Sequence, residues 1–263
     1  MRRGFTLIEL LVVIAVIGLL ASIVLVNLQG TRGRGRIAAG KQFASSLEHA
    51  LGIEAVGIWR FNEGSGTTAY DNAGYSNNGT LSGATWQTEA QCGLGLGTCL
   101  LFDGVNDYVS AGTTIGNGYT SITASAWIYP TSTATGPIVI KNGPFYLYHG
   151  SQFLRGGIYD GSWTYAVGST KLRMNEWSHV VMTYDGSSIR VYVNGALDGS
   201  AAKTGTLATT GALVLIGADT NPGVNTYFTG MIDNAHVFSN SLTTVEVEQM
   251  YAQGKPLHPL AKE

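Results

Sequence analysis

Hydrophobic and polar positions divide the chain into two regimes. Phe5 to Leu28 is a predominantly apolar run of 24 residues in which Glu9 is the only formal charge. As a helix it spans ~36 Å, enough to cross a hydrocarbon core. Arg32, Arg34 and Arg36 follow in a Gly-rich interruption between Gly30 and Gly40. Helical spacing then resumes, with Ile37, Ala38, Phe43, Ala44, Leu47, Ala50 and Leu51 on i, i+4 and i+7 steps before Gly52. The spacing predicts an N-terminal helical unit over residues 5–52. No proline precedes Pro130, so the glycines are its weak points.

From about Val56 the period changes from helical to alternating. It predicts strands over 58–61, 100–102, 108–110, 122–129, 138–141, 145–149, 154–159, 164–167, 177–184, 189–193, 212–217 and 227–238. Between them lie Asp103-Gly104, Asp160-Gly161, Asp185-Gly186, Asn194-Gly195 and Asp198-Gly199, pairs that take the positive φ of tight hairpins. A dozen short strands over ~190 residues argue for a two-sheet sandwich. Thr243 and Glu246 then form a capping-box pattern that opens a short helix to Tyr251, and residues 253–263 are a tail. The fold class expected is α+β: a long N-terminal hydrophobic helix, an all-β sandwich over 57–252 and a short C-terminal helix.

Composition removes some function classes. Only 12% of the residues are charged and the formal net charge is −2, so nothing points to nucleic acid. Cys92 and Cys99 flank a Gly-rich stretch with no His or second Cys pair nearby, which disfavours a metal site. They are either a disulfide closing a short loop or two free buried thiols. An exported protein favours the bridge.

The opening, Met1-Arg2-Arg3-Gly4-Phe5-Thr6-Leu7-Ile8-Glu9-Leu10, resembles the class III signal of type IV pilins and pseudopilins, to about Asn27. An ordinary secretory signal has a shorter apolar region followed by a small-x-small cleavage site. An uncleaved single-pass anchor is the plain alternative. The resemblance implies that a prepilin peptidase removes residues 1–4, cutting between Gly4 and Phe5, and methylates the new Phe5 amine. It implies further that Glu9 compensates the Phe5 amine of a neighbouring subunit and so sets axial register. Within one subunit the two residues are four apart, and that pairing is the competing geometry. Arg32, Arg34, Arg36 and Lys41, counted alone, favour the opposite membrane orientation, but cleavage requires the leader to be cytoplasmic.

Five strings carry a second resemblance: Leu101 to Val109, Ile122 to Pro130, Glu176 to Gly186, Ile189 to Gly195 and Phe228 to Phe238. In this order and spacing they are similar to laminin G-like, concanavalin A-like jelly-roll domains, from about Gly57 to Tyr251. Such domains bind glycans, proteins or nothing known. In related jelly rolls an early Gly/Asn loop and the aspartate of the penultimate strand share a structural calcium. That implies Asp71, Asn78 and Asp233 as ligands here, the loop from Asp71 to Gly79 being rich in oxygen donors. An Asx-turn loop plus one exposed aspartate is the alternative. No other cofactor is expected.

Catalysis is not expected. Glycosidases of this architecture place carboxylates on alternate residues of one strand. The only Glu-x-Glu, Glu246-Val-Glu248, lies in the predicted terminal helix, while Asp103 and Asp107 sit in turn strings. His149, His179 and His236 fall in strands without an evident Ser or Cys partner. Tyr146, Tyr148, Phe153, Tyr159, Trp163 and Tyr165 cluster in the middle hairpins, and alternation puts Tyr146 and Tyr148 on one face. They either pack the core or offer platforms for sugars. Asn78-Gly-Thr80 matches a glycosylation acceptor and equally an Asn-Gly turn.

Together these features predict a structural subunit of a type IV pilus-like filament with a lectin-like head. Its partners would be further copies or other pilins, the prepilin peptidase and the pilus assembly machinery. The precursor would sit in the inner (cytoplasmic) membrane and the product on the cell surface. The alternatives are a minor pilin or tip adhesin whose head binds a surface glycan or protein, and a pseudopilin of a secretion system.

Overall fold

The structure, a computed structural model, describes residues 55–93, 97–221 and 223–255. The predicted helix over 5–52, with Gly4, Phe5 and Glu9, lies outside the described residues, as does most of the tail. Two antiparallel sheets of eight strands each make up the rest. From edge to edge the first sheet runs β14 (Ala196–Ala202), β13 (Ser188–Val193), β12 (Ser178–Tyr184), β7 (Ile122–Pro130), β18 (Thr229–Phe238), β5 (Cys99–Asp103) and β4 (Thr85–Gln87). β1 (Ala55–Trp59) also pairs with β18. The second runs β11 (Trp163–Lys171), β10 (Phe153–Tyr159), β9 (Phe145–Gly150), β8 (Gly136–Lys141), β15 (Val214–Ile216), β6 (Tyr108–Ala111), β3 (Gly79–Ser82) and β2 (Thr68–Ala69). A hairpin of β16 (Ala218–Asp219) and β17 (Thr226–Tyr227) leaves the second sheet after β15. This is the two-sheet sandwich that the alternation predicts, with the jelly-roll architecture that the resemblance implies.

The sheets meet through Ala124, Ala126, Ile128, Val180, Met182 and Ile232 from one side and Phe145, Leu147, Leu154 and Ile158 from the other, all fully buried. Each such Val, Ile, Leu, Met or Phe side chain contributes ~1.5–3 kcal/mol by leaving water, and each alanine methyl less. The first sheet is covered on its far side as well. There α2 (Thr244–Gly254) packs on Val181, Tyr192 and Phe238 through Val247, and Tyr251 stacks on Trp127 at 5.8 Å. The capping box forms: Glu246 N donates to Thr243 Oγ1 (3.3 Å) and Thr243 N to Glu246 Oε2 (2.7 Å). Beside it, α1 (Glu89–Cys92) carries Cys92 to Cys99, where a disulfide with a Cα–Cα distance of 5.8 Å packs among Trp127, Trp177 and Met231. Among the described residues the second sheet has no such cover over β9 to β11.

Three local expectations change. Asp198-Gly199 is not a turn. It lies within β14 at a bulge, and a β-carbon at Gly199 would overlap the Val167 carbonyl, so glycine lets the edges of the two sheets approach. The strand expected over 227–238 is interrupted at Phe228, whose amide donates to Gly217 O (2.8 Å). The last strand also shifts register between Asp233 and His236, where Asn234 takes a φ of 47°.

Candidate functional site

β9 sends Phe145 and Leu147 into the core and leaves Tyr146 and Tyr148 half-buried on the opposite face. The same alternation in β10 buries Leu154 and Ile158 and turns Arg155, Gly157 and Tyr159 outward. In β11 Ala166 is buried, while Trp163 is half-buried and Tyr165 exposed. Register completes the arrangement: Gly157 stands between Tyr146 and Tyr165, Arg155 beside Tyr148, and Tyr159 opposite Trp163.

The five rings therefore touch as one surface. Trp163 lies 4.4 Å from Tyr146, 5.2 Å from Tyr159 and 5.6 Å from Tyr165 between centroids, and is nearly parallel to Tyr165 at 12°. Tyr148 meets Tyr146 and Tyr165 edge-on at 6.5 and 5.9 Å. Gly157 makes this possible, because a β-carbon there would sit inside the Tyr165 ring. Phe153, the sixth aromatic of the sequence cluster, stands outside these ring contacts on the Arg155 side.

Two charged groups frame the rings. The Arg155 guanidinium lies over Tyr148, Cζ to centroid 5.9 Å, a cation–π geometry. It pairs with no carboxylate among the described residues. The β16–β17 hairpin brings in Asp219, which is 5% exposed and accepts the Asn221 amide at 3.0 Å. The Tyr146 hydroxyl lies between this carboxylate and Asn142 Oδ1 (3.2 Å). Burial first, then Asp219, holds that hydroxyl well above the usual tyrosine range, and burial raises Tyr165 to about 12. Both stay protonated as donors. Ring faces that accept the C–H side of a sugar, beside a guanidinium and hydroxyls that meet its oxygens, are the chemistry of a saccharide surface.

Other sequence candidates have structural work. Asp71 accepts the amides of Ile58 (3.0 Å), Ala73 (2.8 Å) and Asn77 (3.0 Å), while Asn78 Oδ1 accepts the Asp71 amide (2.9 Å). Asp233, fully buried in β18, accepts the amide and Nδ2 of Asn234, each at 2.9 Å. Lone pairs already facing N–H groups do not fit a calcium shell. The loop is an Asx scaffold, and Asp233 is buried rather than exposed. Among the described residues no group of three or more His, Cys, Asp and Glu could hold a metal. Burial lowers His149 to about 4 and His236 to about 3, so both are neutral packing residues. His179 packs between Trp127 and Tyr251, at 5.2 and 6.3 Å. Glu246 and Glu248 lie on α2, away from the rings.

A family model described as the concanavalin A-like lectin/glucanases superfamily matches residues 103–248, more than half of the chain. The chain belongs to this superfamily. The same concanavalin A-like protein carries the prokaryotic N-terminal methylation motif at residues 1–25, the mark of a membrane-processed precursor. A search of curated proteins finds no match. Among solved structures it is similar to domain 4 of an extracellular arabinanase from Geobacillus stearothermophilus in complex with arabinotriose. That match has 16% identity and a TM-score of 0.62 over 76% of this chain and 98% of that one. It is also similar to the binding domain of Paraclostridial mosquitocidal protein 1 (15%, TM-score 0.60, 75% of this chain, 52% of that). The receptor binding domain of botulinum neurotoxin D is a third (16%, TM-score 0.58, 76% and 52%). The chain thus spans about half the length of those toxin chains, and at these identities the likeness is one of fold.

Proposed function

We propose that this chain is a pilin-like adhesin whose head binds glycan on the open face of the second sheet. The observation that carries the reading is the five-ring surface of Tyr146, Tyr148, Tyr159, Trp163 and Tyr165, framed by Arg155 and Asp219 and left uncovered by the described residues. The arabinanase domain bound to arabinotriose and the toxin binding domains support a binding role for such a sandwich. The methylation motif supports the other half, in which the N-terminal segment is cut after Gly4 and assembles through Phe5 and Glu9 into or onto a surface filament. The head then faces outward, and chemistry on the ligand is not its task.

The test uses the full-length protein in detergent, screened on immobilised oligosaccharides and titrated by calorimetry. Trp163→Ala and Tyr165→Ala each remove a ring and are expected to weaken binding about tenfold or more, as loss of an aromatic anchor does, without lowering the melting temperature of the core. Absence of binding to every saccharide, or binding that both variants keep, refutes the assignment. Abundance in sheared filaments distinguishes the roles: a tip adhesin is scarce, a major subunit dominant.

A further inference from the structure

The rings alone would bind neutral sugars, but a guanidinium without an ion pair among the described residues stands beside them. Arg155 is fixed in place. It lies over Tyr148, and the missing side chain of Gly150 leaves room for it, since a β-carbon there would approach Nε to 3.1 Å. Its Nε is buried without an acceptor. Across the ladder, register sets Lys171 opposite Phe153, at the Arg155 end of β10, and Lys171 is exposed. Neither cation pairs with a carboxylate among the described residues.

None of the acids nearby forms an ion pair with Arg155 or Lys171. Asp219 is nine-tenths buried and takes the Asn221 amide. Asp160, at the Tyr159 turn, is paired with Lys203. Asp198 on β14 receives the Thr170 amide (2.8 Å) and the Ser169 hydroxyl (3.2 Å). Asp219 and Asp198 accept only from neutral groups and keep their charge, so what marks this face is not a net charge but two cations, Arg155 and Lys171, that have no ion pair among the described residues.

We infer that the face selects glycans bearing a carboxylate, as in uronic acid residues, and that Arg155 reads that group while the rings hold the sugar. The inference rests on the glycan reading above. A planar guanidinium beside the ring surface meets a carboxylate through two parallel N–H donors, a pairing that lysine cannot reproduce and a hydroxyl uses only in part. Lys171 adds a longer-range attraction that salt screens.

The experiment titrates full-length protein in detergent with oligogalacturonate and, separately, with arabinotriose, at low and high salt. Oligogalacturonate is expected to bind about ten- to a hundredfold more tightly, in line with one charge-assisted contact, and salt should narrow the gap. Arg155→Met keeps the packing over Tyr148 and removes the charge, so it should abolish the preference by weakening oligogalacturonate at least tenfold more than arabinotriose. Arg155→Lys should retain part of it, which guards against a variant that merely misfolds. Equal affinities, or a preference that survives Arg155→Met, overturn this inference and leave the neutral-glycan reading standing. Failure of both sugars to bind, with no other saccharide binding either, overturns both.

Discussion

Lys141 offers the sharpest quantitative check on the fold. It sits on β8, fully buried, and its ammonium donates to the carbonyls of Thr113 and Ile115 (2.9 Å for the latter) and to Asn117 Oδ1 (2.7 Å). None of these partners carries a charge, so burial dominates and lowers the ammonium from 10.5 to about 8. Below pH 8 the folded and unfolded chains both hold the proton, and folding bears the full cost of burying the charge. Between about 8 and 10.5 the unfolded chain still binds a proton that the folded chain has released, so stability rises with pH across this window. At 1.36 kcal/mol per unit the gain reaches ~3 kcal/mol. Urea denaturation of the head from Ala55 onward, for wild type and Lys141→Met at pH 7, 9 and 10.5, isolates the effect. The tyrosines titrate in both proteins and cancel in the difference. The wild type is expected to gain on the variant by ~3 kcal/mol from pH 7 to 10.5. Parallel pH profiles, or a wild type that loses ground as pH rises, would refute the placement of an unpaired ammonium in the core.

Asp71→Ala should destabilise the head by ~2–4 kcal/mol, since three amides lose a charged acceptor, while calcium and chelator should give superimposable melting curves for the wild type. A calcium-dependent rise in melting temperature would reinstate the metal site. Gly157→Ala should displace Tyr165 and abolish saccharide binding with little change in core stability, and full binding by the variant would mean that the flat ring surface is unimportant. Mass spectrometry of the native protein should find Phe5, methylated, at its N-terminus, and Glu9→Leu should be processed yet fail to enter filaments. An intact Met1 would remove the pilin-type processing.

Strands such as β7 and β12 were legible because Val, Ile, Trp and Tyr recur without a turn signal, and α2 because Thr243 and Glu246 cap it locally. β2, β3, β4 and β14 were not. β2, β3 and β4 are short and exist as strands because their partners supply the hydrogen bonds, as β6 does for β3, while β14 carries Asp198-Gly199, which reads as a turn. The ring surface was half visible: alternation put Tyr146 and Tyr148 together, but Arg155 and Gly157, which the same step of two sets beside Tyr159 along β10, were not picked out. Asp219 was out of reach, because its position depends on how the β16–β17 hairpin leaves its sheet. The Asp71 loop left its two readings open for a chemical reason. Oxygen-rich loops look alike in sequence whether their lone pairs face an ion or the loop's own amides.

The pairing of β1 with β18 has a mechanical side. Ala55 to Trp59 is the first described segment after the N-terminal region, and it is laid against Phe238 to Ala235 in the first sheet. A cell pulling on a ligand held at the second sheet would load the head through that short ladder. Trp59 resists, fully buried and with its indole Nε1 donating to Asn77 O at 2.9 Å. In the proposed adhesin, that load would fall on the β1–β18 ladder and on the one tryptophan that pins its strand to the sandwich.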